Sequence, residues 1–328
     1  MQSKVSSSLP GKTANPLSAL FNWRQYIVYI AFVGVLVYFA ATLSDDGFLT
    51  TYNLLNIVRQ TAIISIMAVA MTFVMSASEI DLSIGSIAAL SSLTSALALD
   101  ADFGIIGATV AGLGTGFVIG LINGLLVTKV VIPSFLVTLG MMGIAKGLAM
   151  WVTATAPVPI LDKTFVYLFG SGDVGSVPIL LIWTVVIVFA GHVLLRKTAF
   201  GRRTLATGGN PSAAAFSGVN VSRIKLYVMI GSGMLAGLAG MLYAGRMHAG
   251  RYTFGEGDEL SVIAAVILGG TSLFGGVGTV IGTLIGSLMI GTINNGLIIM
   301  GLDVSQQMIV KGLIIILAVA FGRKAVSR

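Results

Sequence analysis

Charge is scarce in this chain, and so are the residues that soluble enzymes use for chemistry. Only 9% of the 328 residues are charged, whereas soluble domains carry roughly 25%. A globular surface of this size needs more charge than that, so most of the chain must face lipid and a soluble enzyme is excluded. Cysteine is absent and only two histidines occur, which excludes disulfides, thiolate nucleophiles and thiolate metal sites.

The chain has long apolar runs instead, and 56% of its residues are hydrophobic. A helix needs about 20 apolar residues to cross a bilayer core. We predict an all-α integral membrane protein in which residues 26–322 form one transmembrane domain between polar tails at 1–25 and 323–328. The predicted transmembrane helices, about ten in number, lie at 26–43, 61–78, 84–99, 104–128, 133–153, 178–195, 225–245, 260–274, 278–298 and 305–322.

The distribution of basic residues predicts the orientation of these helices. With the N-terminus inside, the inner segments hold most of the 19 lysines and arginines, while the outer segments hold Arg59, Lys163, Arg246 and Arg251. Most of the 12 acids, including Glu256, fall in the outer segments. We therefore predict that both termini are cytoplasmic. The net charge of +7 then reflects topology rather than nucleic-acid binding.

Short matched motifs indicate that the two halves of the chain are related. Residues 123–126 (NGLL) match 295–298 (NGLI), and residues 81–83 (DLS) precede one apolar helix as 259–261 (ELS) precede another. Each half contains an odd number of predicted spans, so the second copy is expected to be inverted. We predict an inverted five-plus-five repeat, an arrangement that places a substrate path between the halves.

Seven polar residues in or beside apolar helices are candidates for that translocation path. Glu79 and Asp81 lie in a Ser/Gly-rich stretch between two spans, and an uncompensated ion in a bilayer is costly. The stretch fits an interrupted helix that lines the path, and it equally fits a short cytoplasmic turn in which Asp81 caps the next helix. The asparagines fit hydrogen bonds to neighbouring helices or to substrate. The set is Glu79, Asp81, Ser83, Asn123, Glu259, Asn294 and Asn295.

The residues alone do not decide whether ATP hydrolysis on a partner or an ion gradient would drive transport. A secondary transporter normally has an ionisable group deep in a span, and Glu79 and Asp81 are the candidates for an ion-coupled carrier. Lys146 and Lys311 lie near span ends, where snorkelling to the headgroups explains them. Residues 11–13 (GKT) lack the first glycine of a phosphate-binding loop and follow no apolar strand. We therefore expect no nucleotide site, metal or cofactor on this chain.

The longest predicted cytoplasmic segment, 196–225, contains the pattern of a short capped helix. Asn210 suits the N-cap, Pro211 the first turn and Gly218 the stop. Phe216 is the one large apolar side chain of this helix and is expected to protrude among basic neighbours. The pattern indicates a docking element for a partner protein, made of Gly209, Asn210, Pro211, Ser212, Ala213, Ala214, Phe216 and Gly218.

Five motifs together resemble the ribose-type ABC transporter permease family. They occur in the expected order between about residues 45 and 322, and they read SASEIDLSIGS, ATGGNPSAAAFSGVNV, GEGDELSVIAAVILGGTSLFGGVGTVIGTLIG, NNGLIIMG and QQMIVKGLIIILAV. The resemblance implies a ten-helix permease of the bacterial inner membrane that imports ribose, another pentose, a hexose or a furanone-like molecule. It also implies that residues 209–218 are the coupling helix, although residues 213–215 lack the charged residues often found in that loop.

The resemblance further implies a set of partners. Two permease subunits, identical or different, would work with two cytoplasmic ATPase subunits that hold ATP and Mg, and with a periplasmic sugar-binding protein. Membrane lipid surrounds the complex, and no nucleic acid takes part. ATP hydrolysis is expected on the partner chain, so this chain is not expected to be an enzyme.

Overall fold

The computed structural model describes residues 27–326, and its regular structure is almost entirely helical, as predicted. Two short β pairs join loops: β1 (Val158–Pro159) with β4 (Ala249–Gly250), and β2 (Asp173–Val174) with β3 (Val177–Pro178). The helices are α1 (Ile27–Thr42), α2 (Thr51–Ser76), α3 (Ile84–Asp100), α4 (Gly104–Leu125), α5 (Ser134–Val152), α6 (Lys163–Val166), α7 (Ile179–Lys197), α8 (Ala199–Gly209), α9 (Pro211–Phe216), α10 (Val221–Met247), α11 (Asp258–Leu268), α12 (Val280–Ile299) and α13 (Val304–Val326).

Several of these helices are long and apolar enough to cross a membrane, so the chain is a multi-pass membrane protein. Within residues 27–326, six meet both criteria: α2, α4 with the π-helical turn that follows it, α5, α7, α10 and α12. Helices α1 and α3 are apolar but shorter. Helix α11 has 11 residues, about 16 Å of helix, and cannot cross a bilayer alone. Each predicted span overlaps a helix, but ten spans and an inverted repeat remain predictions.

Three predicted boundaries differ from the structure for local reasons. Helix α2 begins ten residues before the predicted span because Thr50 caps it, accepting a hydrogen bond from the Asn53 amide at 3.3 Å. Helix α11 ends six residues early, at a pair of glycines that follow Leu268. The predicted C-terminal tail is helical as far as Val326. The predicted N-terminal tail, 1–25, lies outside the described residues.

Helices α4 and α10 pack through their backbones. A Cβ atom added at Gly116 would lie 2.1 Å from the Gly233 carbonyl oxygen, and one added at Gly233 would lie 2.1 Å from that of Gly116. No side chain fits at such a contact. Small residues let membrane helices approach this closely where lipid provides no hydrophobic drive for association.

Helices α2 and α12 pack through hydroxyl groups. The Ser65 and Ser287 hydroxyl oxygens are 2.7 Å apart, and those of Thr72 and Thr283 are 2.8 Å apart. All four residues are buried. The two hydroxyl pairs tie α2 to α12 along their length.

The end of the bundle where α8 and α9 lie carries Arg202, Arg203 and Arg223, and we call it the basic end. Helix α2 ends there, since a Cβ atom at Gly208 of α8 would lie 1.9 Å from the Ser76 carbonyl oxygen. Helix α10 begins there, directly after α9. The basic end is the side predicted to be cytoplasmic.

Two non-helical segments enter the bundle from opposite ends. Residues 77–83, the first break, run from the basic end of α2 to the start of α3. Residues 251–257, the second break, follow β4 and run along α3 from Ser92, which hydrogen bonds with the backbone of Arg251. They reach Gly85, where a Cβ atom would lie 2.2 Å from the Gly255 carbonyl oxygen. Both breaks therefore end inside the bundle, at the first turns of α3 and α11.

Candidate functional site

Asp81 is the centre of the polar contacts in the first break. Its Oδ1 atom accepts hydrogen bonds from the Ser83 amide at 3.0 Å and from the Ser83 hydroxyl at 2.6 Å. Its Oδ2 atom accepts one from the hydroxyl of Ser232 on α10 at 2.7 Å. The Ser83 hydroxyl in turn accepts from the Asn123 amide of α4 at 3.0 Å. The structure thus brings together three predicted path residues, Asp81, Ser83 and Asn123, all of them buried.

The rest of the first break is held by α5 and α10. The backbone amides of Ile80 and Leu82 donate to the hydroxyls of Ser134 and Thr138, at 3.1 and 3.0 Å. The Glu79 carboxylate forms a salt bridge with Lys225 and is 8% exposed. The first break is thus a non-helical segment inside the bundle whose polar groups contact protein, and Asp81 accepts a hydrogen bond from the amide just before α3. That the break lines the path stays a prediction.

The two asparagines of α12 lie elsewhere. Asn295 forms a reciprocal pair with Asn53 of α2, with two amide-to-amide hydrogen bonds of 2.9 Å. The Oδ1 atoms of Asn294 and Asn123 are buried and accept no hydrogen bond from any described residue. Asn295 therefore joins two helices, and the structure does not bring either α12 residue to the first break.

The second break carries a different group of polar residues. Glu259, on the first turn of α11, is partly exposed and packs against Gly85. Tyr243 of α10 donates a 2.5 Å hydrogen bond to Asp258 and stacks on Phe254 at 5.4 Å between ring centroids. Lys146 of α5 forms a 2.7 Å salt bridge with Glu256.

Sequence reasoning missed most of this second group. It placed Glu256 in an outer loop, whereas the contact between Gly255 and Gly85 puts the break deep in the bundle. It explained Lys146 by snorkelling, whereas Lys146 has a carboxylate partner. The one available signal was that Glu259 matches Asp81 in the predicted repeat, which indicates that the stretch before Glu259 is interrupted as the stretch before Asp81 is.

The short capped helix that the sequence predicted is present as α9, and its docking role stays a prediction. Asn210 caps it by accepting a hydrogen bond from the Ala213 amide at 3.0 Å, Pro211 occupies the first turn, and Gly218 follows the helix with a positive φ of 84°. Phe216 is 94% exposed, while Ala214 packs inward. The preceding helix, α8, which the sequence did not predict, joins α9 to the end of α2.

Comparisons with known proteins fit this architecture. A family model described as "Branched-chain amino acid transport system / permease component" matches residues 53–319. The ribose import permease of Bacillus subtilis is 42% identical over 281 residues, covering 85% of this chain and 87% of that protein. The ribose import permease of Escherichia coli K12 is 42% identical over 294 residues, covering 88% and 91%.

An L-arabinose ABC transporter permease of Azospirillum brasilense is 36% identical over 327 residues, covering 98% of this chain and 96% of that protein. No solved structure matches the chain. These relatives are transport proteins rather than enzymes, and they align with nearly the whole chain. The chain therefore belongs to the family that the matching model describes and, within it, to the ribose-type ABC transporter permeases.

Proposed function

We propose that this chain is the permease subunit of an ATP-driven importer for ribose or a related monosaccharide, in a bacterial inner membrane with both termini cytoplasmic. Relatives named for ribose, L-arabinose and D-allose support a sugar as cargo. The family description mentions branched-chain amino acids, but the relatives that align with most of the chain are named for monosaccharides. The chain forms the translocation path and works with a second permease subunit and a periplasmic sugar-binding protein.

The exposure of Phe216 on a capped helix is the observation that carries the coupling mechanism. A permease without its own nucleotide site must receive work through contact with a partner. Helix α9 offers an aromatic side chain that is 94% exposed, and its neighbour α8 contacts Ser76 at the end of α2. A cytoplasmic ATPase subunit that holds ATP and Mg would dock on residues 209–218 and move α2 through α8.

An ion-coupled carrier is the second candidate, and the contacts of its acidic residues do not favour it. Glu79 is neutralised by Lys225. Asp81 accepts three hydrogen bonds from Ser83 and Ser232, so neither carboxylate offers an open site to a proton or a sodium ion. The names of the relatives also point to ATP-driven transport.

Replacement of Phe216 tests the coupling. A buried aromatic anchor commonly contributes 2 kcal/mol or more to an interface, so we expect Phe216→Ala to weaken ATPase binding by about tenfold or more. Sugar-stimulated ATP hydrolysis should fall with it, while the permease still inserts. The measurements are co-purification of the ATPase and hydrolysis with and without the loaded binding protein.

Ser212→Ala, on the same helix, is the matched control and should behave as wild type. Gly218→Val should resemble Phe216→Ala because it disturbs the end of α9. If Phe216→Ala retains wild-type binding and hydrolysis, the docking element lies elsewhere, with the segment around Arg202 and Arg203 next to be tested.

Single cysteines test the proposed orientation, since the chain has none of its own. Ser171→Cys should react with a membrane-impermeant thiol reagent added outside spheroplasts, and Ser212→Cys should react only after the membrane is opened. Reversed labelling of the two variants would contradict cytoplasmic termini.

A further inference from the structure

Lys146 and Glu256 form an ion pair that is partly exposed. Their side chains are 37% and 58% exposed, and the Nζ to Oε1 distance is 2.7 Å. The pair joins α5 to the second break. Both residues are charged, yet α5 is apolar and long enough to be a membrane span.

The contacts of the second break place the backbone of Glu256 inside the bundle. Gly255 packs on Gly85, and Gly85 lies fifteen residues before Asp100, the last residue of α3. Fifteen residues of helix correspond to about 22 Å, and a bilayer core is about 30 Å thick. Glu256 follows Gly255 directly, so its backbone lies well below the surface where α3 ends.

Charged side chains at this depth are unfavourable in lipid and face a polar cavity or another polar group. No described residue packs against the glycines of α5 near the pair. At Gly140, Gly143 and Gly147, an added Cβ atom would meet no atom within 4 Å. This side of α5 therefore has space next to the charged pair, and water stabilises such charges better than lipid does.

The chemistry around the pair matches an uncharged, polyhydroxylated molecule. The ammonium group donates hydrogen bonds and the carboxylate accepts them, while the two charges together are neutral and do not select for an ion. Phe254, two residues before Glu256 on the same break, stacks on Tyr243 of α10. Hydrogen-bonding groups beside aromatic faces suit a sugar, which has both hydroxyl groups and apolar ring faces.

We propose that Lys146 and Glu256 line the substrate path and bind the hydroxyl groups of the passing sugar. This inference rests on the proposed function and adds specific contact residues to it. Lys146 donates to a hydroxyl oxygen and Glu256 accepts from a hydroxyl hydrogen, and they bind each other when no substrate is present.

Thiol accessibility tests whether the pair faces water. In the full chain in membranes, Glu256→Cys and Gly143→Cys should react with a charged thiol reagent, because the reactive thiolate forms in water. The matched controls are Val185→Cys and Phe189→Cys on the exposed apolar face of α7. We expect the first two to react about tenfold faster than the controls. Reaction of Glu256→Cys no faster than Phe189→Cys would overturn the proposal, as expected if a second copy or lipid covered this surface.

Uptake by the complete transporter tests the contact with substrate. With the ATPase and binding protein present, Lys146→Met and Glu256→Gln should each lower uptake of labelled D-ribose by about tenfold. The matched control is a second exposed ion pair of the described residues, Arg59 with Asp173, whose Nη2 and Oδ1 atoms are 3.0 Å apart and whose side chains are 38% and 44% exposed. Arg59→Met and Asp173→Asn should change uptake by no more than about twofold.

A charge swap separates substrate binding from a purely structural role. Lys146→Glu combined with Glu256→Lys keeps the ion pair but exchanges donor and acceptor, so uptake should stay about tenfold below wild type. Recovery of wild-type uptake would show that the ion pair only holds α5 against the second break, and the proposal would be wrong. If a variant fails to insert, the accessibility measurement still decides.

Failure of the sugar-importer proposal and failure of the Lys146–Glu256 proposal would give different results in these experiments. A wild-type complex that transports none of D-ribose, L-arabinose and D-allose would contradict the sugar importer, whatever the labelling of Glu256→Cys. Sugar uptake by the wild type, without labelling at Glu256→Cys, would contradict only the assignment of Lys146 and Glu256 to the path.

Discussion

The two breaks both bring non-helical chain into the bundle and both end at the first turn of a shorter helix, but their polar groups have different surroundings. In the first break, 77–83, the carboxylate of Asp81 is buried and accepts three hydrogen bonds from protein donors. In the second, 251–257, Glu256 is 58% exposed and Glu259, just after it, is partly exposed.

This difference leads us to expect different roles for the two breaks. The first break is an anchor, because α4, α5 and α10 each supply side chains that hold it. The second offers charged groups to open space. In the proposed importer, the first break would hold the geometry while the second contacts substrate.

The largest effect is expected from removing the centre of the anchor. Asp81→Ala leaves three buried donors without their acceptor, so we expect the free energy of unfolding to fall by about 4 kcal/mol. Thermal unfolding of the detergent-purified protein measures this. Glu259→Ala is the comparison: it should leave the unfolding midpoint nearly unchanged and lower uptake instead. Equal destabilisation by the two variants would remove the distinction between anchor and path.

A smaller effect is expected where the second break packs on the first turn of α3. Gly255 has φ at +70°, and a Cβ atom there would lie 2.5 Å from the Gly85 carbonyl oxygen. Gly255→Ala should therefore lower stability by about 3 kcal/mol, through steric overlap and left-handed backbone. Gly257→Ala is the matched control, because Gly257 has φ at +79° but open space around it, and it should cost about 1 kcal/mol. Similar unfolding midpoints for the two variants would contradict close packing at Gly85.

The smallest effect concerns the Thr138 hydroxyl, which accepts from the Leu82 amide and donates to the Ile80 carbonyl oxygen of the first break. Thr138→Val removes the hydroxyl that accepts from the Leu82 amide at 3.0 Å, so stability should fall by about 1 kcal/mol. Thr109→Val on α4 is the control, since Thr109 bonds to the Ile105 carbonyl of its own helix at 2.8 Å. Chemical unfolding midpoints of the two variants compare them. A loss no greater than that of the control would mean that α5 does not hold the break.

Patterns along the chain were enough to predict the class of protein and one functional element. Helix α9 was predicted from Asn210, Pro211 and Gly218, because capping is a local interaction between residues a few positions apart. Its exposed Phe216 followed from the same pattern. The starts of other helices were harder to predict. Helix α2 begins at Thr51, ahead of the apolar run, because a cap and not hydropathy sets its start.

The partners of the candidate path residues could not be predicted from the sequence, because they lie on other helices. Asn123 and Asn295 match each other in the predicted repeat, yet one bonds to Ser83 and the other to Asn53. A polar residue in an apolar helix predicts that some partner exists, since burying it unpaired is costly. It does not predict which partner, because that depends on how the helices are placed.

Composition and local pattern by themselves determined that this chain is a helical membrane protein and where most of its long helices lie, while the resemblance of its motifs indicated the family. Hydropathy and capping act within a helix or at its ends, so these properties follow from neighbouring residues. Only the tertiary structure decided that Lys146 meets Glu256 and that Asp81 meets Ser232, pairs separated by 110 and 151 positions in the chain. Such contacts depend on helix packing, and here glycine and hydroxyl contacts between helices set where each polar group lies.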